Sequence, residues 1–128
     1  NSALNYSYAI VRSLVARHIA SRGLIPSLGL FHHSELNSFN LADDLIEPYR
    51  AIVDHFVLSK LADQRLDLSD SRLTKEDRRL SLDILNYYAI IKDKQFTVRD
   101  AIDLTVSSLV QAIGDKSPDS LQLPKFNR

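Results

Sequence analysis

The chain contains no cysteine, and it has only three glycines and four prolines. The lack of cysteine excludes disulfide bonds and metal sites built on thiolates, and it fits a reducing, cytoplasmic compartment. Because glycine and proline are scarce whereas leucine, isoleucine, alanine and valine are abundant, the composition favours helices over β-sandwiches. No apolar run reaches the length of a membrane-spanning helix, so we expect no membrane partner.

The chain also lacks an initiator methionine and a basic, apolar leader, which argues against a signal peptide. Because a helical pattern begins immediately after Asn1, we expect the chain to start inside a larger protein. Its 128 residues suit one domain. The 16 basic and 16 acidic residues cancel, whereas a self-sufficient nucleic-acid-binding protein is usually markedly basic. Any contact with DNA therefore requires a local basic patch or help from partners.

Apolar periodicity predicts two helices in the first half of the chain. The first covers Ala3–Ser21, and Gly23 is a plausible residue to end it. Its apolar residues recur every three or four positions: Leu4, Tyr8, Val11, Val15 and Ile19. The second begins with Asn40 as its N-cap and continues to about Leu61. Pro48 lies inside this pattern and removes one backbone donor, so we expect a kink or a local reset there.

Two further helices are predicted from N-terminal capping signatures. Thr74, followed three residues later by Asp77, begins the third helix, whose apolar stripe continues to Ile91. Thr97 and Asp100 repeat the signature for the fourth helix. No strand signal of useful strength is present. The predicted fold class is therefore all-α, with about four main helices plus short turns.

The composition changes near Gly114, which we predict to close the fourth helix. Residues 1–114 are therefore predicted to form the helical domain. Residues 115–128 are rich in serine, proline, aspartate, glutamine and lysine. Such a segment buries little apolar surface, so we predict a partly disordered tail.

Three carboxylates lie at the start of the second helix. Asp44 and Glu47 are three residues apart, and Asp43 and Glu47 are four apart, so each pair shares a helix face. Crowded carboxylates repel one another, and either Arg50 one turn later or a bound metal would relieve the repulsion. Alternatively, the acids only complement the helix N-terminus and keep the helix soluble.

Two adjacent histidines, His32 and His33, precede this helix by a short loop. Adjacent side chains point to different sides of the backbone, so we expect one imidazole at most to face the acids. An imidazole with carboxylates forms a mixed nitrogen and oxygen site, which suits Mn²⁺ or Mg²⁺ better than Zn²⁺. Two or three protein ligands would leave positions open for water and phosphate oxygens.

Three segments agree in order and spacing with a known family: Asn5–Ile10, Pro26–His32 and Phe39–Arg50. They resemble the CRISPR adaptation integrase, the first-numbered Cas protein, a metal-dependent DNA endonuclease and integrase. The likeness is greatest to the form found with single-effector (type II) systems. It is dense from Ala3 to Asp54 and thinner beyond. The resemblance implies a fragment of the helical catalytic lobe of a larger protein.

The resemblance implies three catalytic metal ligands. The family histidine lies three residues after a glycine, which is Gly29 here, so it corresponds to His32. The family acids correspond to Asp44 and Glu47, and Asp43 has no assigned role. The cofactor implied is Mg²⁺ or Mn²⁺. A further family ligand, a glutamate on an upstream helix, is absent from this sequence, so we expect the fragment alone to be inactive.

The resemblance also implies a reaction and its partners. In the full protein, the 3′-hydroxyl of a new spacer attacks a phosphodiester of the repeat array. The partners implied are DNA (protospacer and repeat array), a second copy in a homodimer, and the second CRISPR adaptation protein, in a prokaryotic cytoplasm. The candidates for contacts with the DNA backbone are Arg12, Arg50, Arg78 and Arg79.

Two alternatives remain open at this stage. One is a non-catalytic helical interaction module, in which the acids are caps and the histidines are incidental. The other is a helical metal phosphohydrolase. That activity would need a second metal-ligand cluster, and the sequence after Asp54 offers none.

Overall fold

A computed structural model describes residues 2–24, 40–63 and 74–125, with the backbone alone for residues 40 and 41. In chain order, the elements are α1 (Ser2–Ser21), α2 (Asn40–Ile46), a 3₁₀ turn (Glu47–Tyr49), α3 (Arg50–Ala62), α4 (Lys75–Ser81), a 3₁₀ turn (Leu82–Asn86), β1 (Tyr88–Ile91), β2 (Lys94–Thr97), α5 (Val98–Asp115) and a 3₁₀ turn (Pro118–Ser120). The helix α1 packs against α2, α3, α4 and α5.

Helix α1 buries a stripe with a spacing of four residues. The buried members are Ala3, Ser7, Val11, Val15 and Ile19. Leu4 and Tyr8, which the periodicity placed on this stripe, are half-buried beside it. Gly23 ends the helix as predicted. It has a φ of +76°, and the amide of Leu24 donates to the carbonyl of Ile19 at 3.1 Å, which satisfies a carbonyl of the last turn.

Pro48 resets the second predicted helix, as expected. The chain passes from α2 through a 3₁₀ turn into α3, because proline has no amide to donate and its ring clashes with the preceding turn. The reset directs Tyr49, Ile52 and Phe56 into the core, where each is at most 1% exposed. The prediction that the side chain of Asn40 caps this helix lies outside the described residues.

The third predicted helix is correct at its start and wrong at its end. Thr74 and Asp77 form a reciprocal capping box. The helix α4 nevertheless ends at Ser81, and the stretch up to Ile91 contains a 3₁₀ turn and the strand β1. The prediction of no strands is therefore wrong, because tertiary pairing overrides the helical spacing of the apolar residues here.

The strands β1 and β2 form an antiparallel hairpin in which Tyr88 pairs with Thr97 and Ile91 with Lys94. The two residues of the turn, Lys92 and Asp93, have φ values of 51° and 65°. A two-residue hairpin turn whose twist matches the right-handed twist of the strands requires both turn residues in the left-handed conformation. Without glycine or asparagine at these positions, the sequence carries a weak hairpin signal.

Helix α5 begins at the predicted cap, where the hydroxyl of Thr97 accepts from the amide of Asp100 at 3.1 Å. It continues past Gly114 to Asp115, and Lys116 caps it with a φ of 53°. The predicted closure at Gly114 is therefore wrong by two residues, because a lysine adopts the left-handed cap conformation.

The described part of the predicted tail, residues 115–125, is folded against the rest of the molecule. The amide of Lys125 donates to the carbonyl of Ile90 at 2.7 Å, and the amide of Gln122 donates to the hydroxyl of Ser108 at 2.8 Å. Disorder is therefore wrong for this stretch, because these bonds and half-buried Leu121 fix it to β1 and α5. The domain boundary at residue 114 stays a prediction.

The all-α fold class is confirmed, since α1, the pair α2–α3, α4 and α5 are the four main helices and the hairpin is a small addition. One core is shared by α1, α2–α3, β1 and α5. In the ranges that the structure describes, none of the helices has the length and apolar character needed to cross a lipid bilayer.

Candidate metal and DNA site

The two carboxylates predicted as metal ligands lie at the junction of α2 and the following 3₁₀ turn. Asp44 is 9% exposed, whereas half of the Glu47 side chain is exposed. Their separation of three residues across a helical turn places them on one side of the chain. A carboxylate as buried as Asp44 requires compensation by a hydrogen bond or a cation.

The third carboxylate has a role that the sequence did not assign. Nε of Arg12 lies 2.7 Å from Oδ1 of Asp43, and the Arg12 terminal nitrogen donates to Oδ2 at 3.0 Å. One hydrogen bond and a second close approach of opposite charges join the two side chains as an ion pair. Asp43 therefore fixes α1 to α2, and Arg12, which was predicted to contact DNA, is engaged with a carboxylate.

Arg50 compensates the acidic turn, which is one of the two explanations that the sequence offered. Its Nε lies 3.0 Å from Oε1 of Glu47, and its guanidinium carbon lies 5.3 Å from the ring centroid of Tyr8. Burial lowers the pKa of Arg50, but Glu47 and Tyr8 raise it more, so the net pKa is raised. Arg50 therefore stays charged and holds the Glu47 carboxylate.

Tyr8 extends this network to α3, because its hydroxyl donates to the carboxylate of Asp54. Burial, followed by the hydrogen bond and the charge of Asp54, raises the pKa of Tyr8 to about 12. The phenol is therefore neutral at ordinary pH and remains a donor. Sequence reasoning missed this partner of Arg50 because its contacts join distant parts of the chain: Tyr8 and Asp54 are 46 residues apart.

Some of these side chains line a cleft of about 360 Å³ between α1 and the α2–α3 pair, and Asp44 and Glu47 are not among its lining residues. Asn5, Tyr8, Arg12, Asp43 and Arg50 are among the residues that line it. Two guanidiniums thus face one concave surface beside the acidic turn. Of the four predicted DNA contacts, the structure brings Arg12 and Arg50 together here.

The other two predicted DNA contacts, Arg78 and Arg79, line a different hollow, beside α4. Arg79 forms an ion pair with Glu76 at 3.0 Å. Helix α1 contributes residues to both concave surfaces. The four arginines therefore do not form a single basic patch.

The predicted histidine ligands fall in a different part of the chain. His32 and His33 lie outside the described residues, so the convergence of an imidazole with Asp44 and Glu47 stays a prediction. Within the described ranges, no group of three or more histidine, aspartate or glutamate side chains is close enough to hold a metal. In the same ranges, the second ligand cluster needed by the phosphohydrolase alternative is absent.

Two other histidines have structural partners. Nδ1 of His18 lies 3.2 Å from a terminal nitrogen of Arg22, and Nδ1 of His55 is hydrogen-bonded to the hydroxyl of Tyr87. His18 is half-buried on α1. Neither lines the cleft beside the acidic turn.

Comparison with known proteins identifies a matching family model and related endonucleases. The family model for the CRISPR associated protein Cas1 matches residues 1–89. A CRISPR-associated endonuclease Cas1 from Neisseria meningitidis serogroup C (strain 8013) is 42% identical over 126 residues, which cover 98% of this chain and 40% of the relative. One from Korarchaeum cryptofilum (strain OPF8) is 27% identical over 130 residues, which cover 97% of this chain and 38% of the relative.

Among solved structures, a casposase bound to integration product superimposes with a TM-score of 0.73 and 26% sequence identity. The match covers 90% of this chain and 37% of the casposase chain. The chain thus spans about two fifths of the length of the proteins that it matches here.

Proposed function

Because the chain belongs to the CRISPR associated protein Cas1 family, we propose that it forms part of a metal-dependent DNA endonuclease and integrase of spacer acquisition. The observation that carries the proposal is the acidic turn at Asp44 and Glu47, with Arg12 and Arg50 lining the adjacent cleft. Carboxylates beside guanidiniums are the arrangement needed to hold a hard cation next to a phosphate.

The proposed cofactor is Mg²⁺ or Mn²⁺, held by Asp44, Glu47 and His32. Two carboxylates suit a hard cation. When bound, the metal supplies polarisation of a phosphoryl oxygen and activation of a hydroxyl nucleophile. The proposed reaction is a transesterification: the oxygen of a 3′-hydroxyl forms a new bond to the phosphorus of a phosphodiester, the existing P–O bond to the leaving oxygen breaks, and the proton lost by the attacking hydroxyl is balanced by one that the leaving oxygen gains.

The residues of the cleft have separate tasks in this proposal. Arg50 holds the Glu47 carboxylate in place at 3.0 Å, and the Arg50 guanidinium contacts the ring of Tyr8. The outer faces of the two guanidiniums attract the phosphate backbone without reading sequence. Asp43 keeps Arg12 beside the cleft through their ion pair.

A metal titration tests the ligand set. Mn²⁺ that binds the folded state raises the melting temperature by mass action. We expect this rise in the wild-type chain and its loss in Asp44→Asn, Glu47→Gln and His32→Ala. Glu76→Gln is the control, because Glu76 is an exposed carboxylate on α4 that also forms an ion pair with an arginine three residues away.

The same titration separates the proposal from the alternative of a non-catalytic helical module. The ion pairs of Asp43 and Glu47 with arginines favour that alternative, since they give both acids a structural role. An equal Mn²⁺ response in all four variants, or no response in the wild type, would contradict the metal site and leave the helical module.

DNA binding is tested by its salt dependence. Loss of one phosphate contact lowers the slope of log affinity against log salt by about 1. We expect this change in Arg50→Gln and not in Arg17→Gln, whose exposed guanidinium lies outside the cleft. An unchanged slope in Arg50→Gln would remove Arg50 from the DNA contacts. Arg78 and Arg79 stay predicted contacts.

The proposed partners are DNA, a second copy in a homodimer and the second CRISPR adaptation protein. Because the chain carries no net charge, DNA binding shared among several chains fits it better than binding by one copy. We further propose that the chain alone binds metal weakly and does not catalyse integration. Robust integration by the purified chain would contradict that part of the proposal.

A further inference from the structure

A second concave surface extends along α1 on its side toward α4 and the 3₁₀ turn that follows α4. It consists of two hollows of about 840 and 400 Å³, which share Tyr6 and Leu82. We call it the α1–α4 groove. Its floor is formed by Tyr6, Ile10, Leu14, Leu82 and Leu85, and its rim by Arg17, Lys75, Arg78, Arg79 and Arg99.

The groove follows one face of α1. Its α1 residues run from Tyr6 to Arg17 at helical spacing, which corresponds to three turns, or about 16 Å. They form a second apolar row beside the buried stripe of α1. A partner helix of about three turns can therefore lie along the whole groove.

The floor is mostly aliphatic and it is open to solvent. Ile10, Leu14 and Leu85 are half-buried against the core, and Leu82 is 48% exposed. Exposed leucine inside a concave surface gains free energy when a partner covers it, at about 25 cal/mol per Å². In the part of the chain that the structure describes, no element covers it.

The rim is cationic. Of its five basic residues, Arg79 forms an ion pair with Glu76, and Asp83 is a second carboxylate close to Arg79. Within the described ranges, no ion pair is made by the other four: Arg17, Lys75, Arg78 and Arg99. The groove therefore has an excess of positive charge around an apolar floor.

We propose that the α1–α4 groove binds an acidic amphipathic helix of a partner protein. Apolar side chains at positions i, i+3, i+4 and i+7 would cover the floor, and carboxylates would meet the rim. DNA fits the floor less well, because phosphate contacts need no apolar surface and bases stack on aromatic rings, of which the floor has one, Tyr6, beside four aliphatic side chains. A second copy fits less well because two cationic rims repel each other.

The probe is a synthetic peptide of about three helical turns, with leucines at that spacing and glutamates elsewhere. We expect it to bind the wild-type chain in fluorescence anisotropy. Leu82→Glu and Arg99→Glu should each weaken binding roughly tenfold or more, since each removes a contact at the centre or the rim. Leu58→Glu is the matched control, because Leu58 is 64% exposed on α3, outside the groove.

Several results would overturn the assignment. Two concern the peptide: the chain binds a shuffled peptide of the same composition with equal affinity, or the Leu82→Glu chain binds the original peptide as tightly as the wild-type chain does. Two concern other occupants: a DNA duplex displaces the peptide in a way that depends on Leu82, or the chain self-associates in sedimentation in a way that depends on Leu82. Circular dichroism verifies that each variant is folded. If Leu82→Glu were unfolded, Leu82→Ser would provide the same comparison with a smaller perturbation.

Discussion

Tyr8 lies where opposite charges meet, between the guanidinium of Arg50 and the carboxylate of Asp54. Its hydroxyl is a donor only while it is protonated, and burial together with Asp54 favours the neutral phenol. At the scale of single residues, burial and Asp54 therefore keep the Tyr8 phenol, which contacts Arg50, in its neutral form.

The pKa of Tyr8 predicts a difference between the wild-type chain and Tyr8→Phe at high pH. The folded-state pKa, about 12, lies above the ordinary value of 10.0. The stability that the neutral phenol contributes is therefore fully present below pH 10 and lost as the pH rises toward 12. Urea unfolding across this range should show the two proteins converging.

Ultraviolet absorbance provides a second measurement of the same group. The phenolate signal of the wild-type chain minus that of Tyr8→Phe should appear near pH 12. In Asp54→Asn, the pKa of Tyr8 should fall, because the hydrogen bond and the charge of Asp54 both raise it in the wild-type chain. A difference signal that is complete by pH 10 would contradict the buried, hydrogen-bonded phenol.

At the scale of elements, the helix starts follow local rules and the hairpin does not. Thr74 and Thr97 each accept a backbone amide three residues later, as capping chemistry predicts. The hairpin turn instead places Lys92 and Asp93 in left-handed conformations. Residues other than glycine and asparagine adopt this conformation at a free-energy cost.

The double substitution Lys92→Asn with Asp93→Gly should therefore stabilise the chain by about 1 kcal/mol, since Asn-Gly prefers this turn. The measurement is the free energy of unfolding in urea. Lys94→Asn is the control, because Lys94 is an exposed neighbour in β2 with an extended backbone, and it should give no gain. A destabilised double variant would mean that the two native side chains have contacts worth more than the strain.

At the scale of the whole molecule, one buried hydroxyl joins three distant parts of the chain. The hydroxyl of Tyr49 lies 2.7 Å from Oγ1 of Thr105, which donates to the carbonyl of Gln122 at 2.9 Å. Burial raises the pKa of Tyr49, although Thr105 lowers it in part. This relay connects the Pro48 turn, α5 and the folded tail.

Thr105→Val keeps the side-chain shape but removes the hydroxyl from the relay. We expect a loss of about 1–3 kcal/mol in the free energy of unfolding, because the buried hydroxyl of Tyr49 and the carbonyl of Gln122 lose their partner. Adding Tyr49→Phe should recover part of the loss, since it removes the unpaired hydroxyl. Strictly additive effects in this double-mutant cycle would show that the two hydroxyls are not coupled.

The amino-acid sequence by itself determined the family, the helical class and the starts of α4 and α5. These depend on local order: a capping residue and its partner lie three positions apart, and Pro48 acts on its own turn. The pairing of Arg50 with Glu47 was also within reach, because side chains three residues apart meet on a helix.

Only the tertiary structure decided the pairing of Arg12 with Asp43, the support of Arg50 by Tyr8 and Asp54, and the strand at Tyr88–Ile91. The physical reason is distance along the chain. Contacts between residues tens of positions apart produce no periodic pattern in the sequence. The segment Tyr88–Ile91 has apolar residues at helical spacing, but it forms a strand because β2 is present to pair with it. The folded tail follows the same rule, since its bonds to Ile90 and Ser108 exist only once β1 and α5 are in place.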